Sequence, residues 1–176
     1  MDMLLHIDGA RLPNACSFLN CDLSKLCNKA DMISFGGTKS GLLMAEVAII
    51  KESAEWVGGK RIPKQLGQLI SKQRFVAAQY KAYLKNNLYI KFAKHSHQMA
   101  LKLFQSLSDV FDDKMTLIHP IESNAVFFRL LETNNQIESF LSPYSWEMLD
   151  SPIYRLMTNS ESSRQNIEQF IATLMI

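Results

Sequence analysis

Apolar and polar positions follow three different rhythms along this chain, and each rhythm predicts different elements. Residues 3–7 form a short apolar run that predicts a buried strand. It runs straight into Asp8-Gly9-Ala10-Arg11, with Pro13-Asn14 reading as breakers. In residues 22–29, Leu23, Leu26 and Cys27 recur at helical spacing. Residues 31–35 predict a second strand that Gly36-Gly37 ends, residues 38–41 a loop, and residues 46–50 a third strand. Short strands alternating with turns and a helix are the texture of an α/β fold.

The second rhythm occupies residues 65–109, which read as almost wholly helical. Leu66, Leu69, Ile70, Val76, Ala77, Tyr80 and Leu84 fall on one broad stripe, and Leu88, Phe92, Met99, Leu103 and Leu107 continue it beyond a bend at Asn86-Asn87. The third rhythm starts at Met115. Residues 115–118 and 125–131 predict strands, 135–141 a helix, 153–158 a strand and 162–174 an amphipathic helix. That order suits a small α+β domain with its helices on one sheet face.

Composition narrows the class. Of 176 residues, 47 % are apolar and 20 % charged, a globular balance. The net charge of +2, spread along the chain, gives no reason to propose a nucleic-acid partner. No apolar run approaches the roughly 20 residues that span a bilayer, and the N-terminus does not read as a secretory signal. Cys16, Cys21 and Cys27 read as reduced thiols of a cytoplasmic protein; no histidine lies near them at zinc-site spacing, and no metal site is expected.

Two segments place charge just after an apolar strand: His6-Ile7-Asp8-Gly9-Ala10-Arg11-Leu12 and Ser34-Phe35-Gly36-Gly37-Thr38-Lys39-Ser40-Gly41. Strand ends are where α/β sheets bind ligands. Taken singly, Asp8 also reads as a turn aspartate, Lys39 as a solvated lysine and Gly36-Gly37 as a turn. His6, His95, His97 and His119 read as structural or surface histidines.

Together the segments carry a resemblance. Asp8 to Ala15 resembles the Asp-Gly-Ala-Arg motif of the low-specificity L-threonine aldolase and aromatic amino acid β-eliminating lyase family. Ser34 to Lys39 resembles that family's cofactor-lysine motif, Leu66 to Gln79 is similar to the helix that follows, and Tyr154-Arg155-Leu156-Met157-Thr158 to its late arginine-bearing strand. The matches are collinear over nearly the whole chain.

The resemblance implies the C-terminal part of a pyridoxal-phosphate (PLP) enzyme of the aspartate aminotransferase-like fold type I. Residues 1–85 would hold a partial large domain and the start of a linking helix, and residues 86–176 the rest of that helix and a small α+β domain. It implies that Asp8 pairs with the protonated pyridine nitrogen, that Ala10 packs on one ring face, and that Arg11 reaches the cofactor's phenolic oxygen or the substrate carboxylate. Lys39 would carry the cofactor and Arg155 would grip the substrate carboxylate, while Lys72 or Arg74 would reach a phosphate.

The implied reaction is cleavage of threonine, or another β-hydroxy-α-amino acid, to glycine and an aldehyde by a cytoplasmic homo-oligomer. A related PLP β-eliminating lyase or aminotransferase, and a truncated, non-catalytic remnant, are the alternatives. Family members run longer at the N-terminus, in a part that would carry the phosphate-binding loop and a ring-stacking histidine. Gly59-Lys60-Arg61-Ile62-Pro63 departs from the glycine-richer loop of the family. Uncovered sheet edge and apolar surface predict self-association.

Overall fold

A computed structural model describes residues 3–51, 61–144 and 152–175. The Gly59-Lys60 part of the departing loop lies outside them. The chain divides into two compact units, Met1–Lys91 and Phe92–Ile176.

The first unit is built on a three-stranded mixed sheet of order β1-β2-β3. Strand β1 (His6–Gly9) pairs parallel with β2 (Met32–Gly36), and β3 (Glu46–Ile50) closes the other side antiparallel. The first strand is a correction to the sequence reading. Met3, Leu4 and Leu5 are exposed and precede it, and the strand starts at His6. Pairing with β2 decides this, since His6 is the first residue in register, opposite Met32.

Helix α1 (Leu12–Leu19) is a second correction, because Pro13 and Asn14 lie inside it. Proline breaks a helix by lacking an N–H, but first-turn N–H groups have no intrahelical partner to lose. Asn20 ends the helix at φ 49, and the Cys21 N–H reaches back to the Cys16 carbonyl at 3.1 Å. That is the closure that a left-handed residue permits. The predicted helix over 22–29 shrinks to α2 (Leu23–Leu26).

The long helical stretch is interrupted twice. Helix α3 (Ile62–Gln65) ends at Leu66, and α4 (Arg74–Leu84) begins eight residues later, after Gly67 and Lys72 at positive φ. Leu66, Leu69 and Ile70 are therefore exposed rather than part of a helical stripe. The second break is the expected one. Asn86 and Asn87 take φ 55 and 54, a region asparagine tolerates better than most residues, and α5 (Leu88–Phe111) follows. The division between the units falls within α5.

The second unit holds an antiparallel sheet of order β4-β5-β6, made of β4 (Met115–Leu117), β5 (Ala125–Leu130) and β6 (Ile153–Met157). Strand β5 alternates strictly and turns Val126, Phe128 and Leu130 into the core. Ala100, Leu103 and Leu107 from α5 pack there, with Ile167 and Ile171 from α7 (Arg164–Leu174). Asn134 caps α6 (Asn135–Phe140) by accepting the Ile137 N–H at 2.8 Å. Ser163 and Asn166 cap α7 reciprocally. Among the described residues no helix is long and apolar enough to cross a membrane.

Candidate active site

Parallel strands end on the same sheet edge, and this brings the two singled-out segments together. Asp8 lies opposite Ser34 and Gly9 opposite Phe35. Asp8-Gly9-Ala10 and Gly36-Gly37 therefore leave the sheet side by side. The contact is tight. A Cβ on Gly36 would lie 2.8 Å from the Ala10 Cα, and one on Gly9 would lie 2.7 Å from the Ser34 carbonyl oxygen. Only residues without a Cβ let the two strand ends come this close.

Asp8 is exposed, and its Oδ1 accepts the Ala10 N–H at 3.1 Å, a short Asx-type turn. By strand alternation His6, Asp8 and Ser34 share one sheet face, and His6 Nε2 lies 2.9 Å from Ser34 Oγ. Arg11 follows at the start of α1; its Nε is buried with no hydrogen-bond partner among the described residues. Lys39 sits in a 3-10 helical turn, Thr38–Ser40, just past the end of β2. It is exposed and makes no ion pair among the described residues.

The turn that carries Lys39 is held at several points. The Gly37 N–H donates to the Ala45 carbonyl at 2.8 Å, and the Ala45 N–H donates to Thr38 Oγ1 at 3.0 Å. Glu46 Oε1 accepts the Thr38 N–H at 3.3 Å. Three contacts come from α4. Gln79 Oε1 accepts the Leu43 N–H at 2.9 Å, and the Tyr80 hydroxyl lies 2.6 Å from the Phe35 carbonyl and 3.1 Å from that of Ala45. Burial, with Glu46 adding to it, pushes the Tyr80 phenol up to about 12, so it remains a donor across the ordinary pH range.

Glu46, Gln79 and Tyr80 were absent from the sequence-derived candidates. Tyr80 was legible only as a member of an apolar stripe; its polar end meets backbone groups far away in the chain, which no residue pattern encodes.

The remaining candidates lie elsewhere. Lys72 is exposed, at φ 60, in the turn before α4, and the Arg74 guanidinium stacks over Phe75 at 5.0 Å. Arg155 belongs to the second unit, on β6, exposed, with its guanidinium 4.2 Å from the centre of the Tyr144 ring. The histidines of that unit are engaged structurally: His95 Nε2 donates to the Ser162 carbonyl at 2.7 Å, His97 Nε2 to that of Ile121 at 2.8 Å, and His119 packs edge-on against Phe127.

A cavity of about 1290 Å³ in the first unit is lined by Ile33, Phe35, Val47, Ile49, Val76 and Tyr80, among others. The cavity lies against β2 and β3. Asp8, Ala10, Arg11, Lys39 and Lys72 do not line it. Among the described residues no cluster of three or more His, Cys, Asp or Glu side chains could hold a metal ion.

The chain is 39 % identical over 132 residues to the low specificity L-threonine aldolase of Pseudomonas aeruginosa, an alignment covering 73 % of this chain and 37 % of that protein. It is 25 % identical over 178 residues to the low specificity L-threonine aldolase of Escherichia coli, covering 97 % of this chain and 50 % of that protein. The chain thus spans half or less of the length of these relatives.

Among solved structures, a Leishmania major threonine aldolase matches with a TM-score of 0.82 at 27 % identity, over 98 % of this chain and 51 % of that one. A NifS-like protein matches in fold alone, with a TM-score of 0.65 at 15 % identity, over 98 % and 52 %. The sequence model of the beta-eliminating lyases matches residues 1–132, the stretch that contains both the Asp8 and the Lys39 segments. By that match, with two motifs meeting at one sheet edge, the chain belongs to the beta-eliminating lyase family.

Proposed function

We propose that this chain contributes the cofactor lysine of a PLP-dependent lyase that cleaves threonine, or a related β-hydroxy-α-amino acid, to glycine and an aldehyde. One observation carries the reading: β1 and β2 are parallel, so the Asp8 strand and the Lys39 turn open on the same sheet edge. The relatives named L-threonine aldolases support the substrate class.

The residues present fit the cofactor. An exposed carboxylate and an exposed amine leave neighbouring strands, and beside them Arg11 has a buried Nε with no hydrogen-bond partner among the described residues, which an anionic oxygen would satisfy. When bound, PLP supplies an electron sink for the pair left on Cα as the Cα–Cβ bond breaks.

The other roles belong to the chain. Lys39 would hold the cofactor through its amine. Asp8 keeps a proton on the pyridine nitrogen, because a carboxylate beside a ring cation stabilises its charged form. Ala10 leaves room against one ring face. Arg11 donates to the phenolic oxygen or the substrate carboxylate. Arg155, on the second unit, would offer its planar fork to a carboxylate, and Lys72 would meet a phosphate as a point charge. The group that accepts the β-hydroxyl proton is not among these residues. Assembly as a homo-oligomer belongs to the same reading.

The test is spectroscopic. Purified chain mixed with PLP is expected to show a visible absorption band that borohydride abolishes, and Lys39→Ala is expected to remove it. Acetaldehyde released from threonine, against pyruvate released from serine, separates aldol cleavage from β-elimination. A wild-type chain without the band, or a band that survives Lys39→Ala, overturns the assignment; the first result favours a non-catalytic member of the family.

A further inference from the structure

The turn bearing Lys39 is a long excursion between two strands, and among the described residues its exposed amine has no partner of its own to fix it. What fixes the excursion lies on α4. Phe35 is the penultimate residue of β2, and Ala45 immediately precedes β3. The carbonyls of both meet the one Tyr80 hydroxyl, at 2.6 and 3.1 Å. The ring beneath packs on Phe35, centroids 5.7 Å apart, and on Tyr83 at 6.4 Å. Gln79 takes the Leu43 N–H at 2.9 Å, midway along the returning arm. Tyr83, one turn further along α4, is fully buried. Gln79 and Tyr80, neighbours on one helix, thus reach both ends and the middle of residues 35–45.

We infer that Tyr80 is a positioning residue for Lys39, its hydroxyl tying together the two ends of the loop that presents the lysine amine. The inference rests on the reading of Lys39 as the cofactor lysine. Its physical basis is orientation: a reacting amine on a pinned turn samples far fewer directions than one on a free loop, and small misplacements of a reacting group cost large factors in rate. The hydroxyl is suited to the task because burial holds it neutral and donating, and because Ala45 already accepts the Gly37 N–H, so the phenol closes an existing bonded ring around the turn.

Tyr80→Phe in the full chain removes the oxygen and leaves the ring. Two readouts follow. By hydrogen exchange, the amides of Gly37, Ser40, Leu42 and Leu43 are expected to exchange roughly tenfold faster than in wild type, with those of β5 unchanged. In timed reaction with PLP followed by borohydride and peptide mass analysis, the rate of label arrival at Lys39 is expected to fall roughly tenfold. Label at the exposed Lys25 and Lys64 should keep its wild-type rate, which a general loss of structure would not spare.

Should Tyr80→Phe fail to fold, Gln79→Leu is expected to move both readouts in the same direction. If either readout stays at the wild-type value in a folded variant, the positioning role is overturned while the cofactor reading stands. A wild-type chain that never labels at Lys39 overturns both.

Discussion

Gly36 shows how little room the candidate site leaves. Its missing side chain is the space into which the Ala10 Cα and the Glu46 carboxylate fit, 2.8 and 2.9 Å from where a Cβ would lie. Glu46 can swing away, but Ala10 is backbone at the end of a paired strand. Gly36→Ala is therefore expected to part the β1 and β2 ends and destabilise the first unit by about 1–3 kcal/mol, the usual range for overpacking. A urea unfolding midpoint read from a probe in that unit checks it; an unchanged midpoint would mean that the ends separate without penalty. Asp8, Lys39 and the glycines stand out as candidates by residue type and order, because each belongs to a short local segment. Glu46, Gln79 and Tyr80 were not, because each acts on a main-chain group that any residue could have supplied.

At the scale of elements, the ends of helices and strands were harder to read than their existence. Pro13 looked like a breaker because the rule against proline concerns helix interiors, and only the placement of Leu12 at the helix start makes it harmless. The apolar residues from Leu66 to Ile70 kept the helical rhythm, yet the backbone departs from it at Gly67 and Lys72. The final helix is the opposite case. Ser163 accepts the Asn166 N–H at 3.2 Å, and Asn166 Oδ1 accepts that of Ser163 at 3.1 Å. Ser163→Ala is expected to lower the stability of the second unit by about 1 kcal/mol. Denaturant titration followed by far-ultraviolet dichroism measures this, and Ser163→Asp, which restores an acceptor, is expected to recover most of the loss.

The whole molecule responds to pH through groups that folding keeps protonated. In the first unit, burial pushes the Cys16 thiol from an ordinary 9.0 to about 12, with Cys21 and Cys27 adding to it, and burial pushes the Tyr83 phenol from 10.0 to about 12. Tyr80 behaves alike. The unfolded chain gives up these protons at lower pH than the folded one. Their stabilisation is therefore complete below pH 9.0 and is lost as pH rises from there toward about 12. The expected outcome is a melting temperature that is flat below pH 9 and falls above it. Cys16→Ala is expected to shrink the part of the fall that begins between 9.0 and 10.0, which Cys27, also raised by burial, shares. A melting temperature that rises in that window would reverse the sign and sink the account.

The chain's residue order determined its family and the texture of its fold: alternating short strands and turns, an α+β tail, and a match to the beta-eliminating lyases over residues 1–132. Those signals are local, carried by side-chain type and spacing within a few residues. Tertiary structure alone decided that β1 and β2 pair in parallel, that a cavity opens against β2 and β3, and that α4 returns to hold the Lys39 turn. The physical reason is that pairing register and backbone hydrogen bonds join groups every residue carries, so their partners are chosen by packing across the fold and leave no mark in any one stretch of sequence.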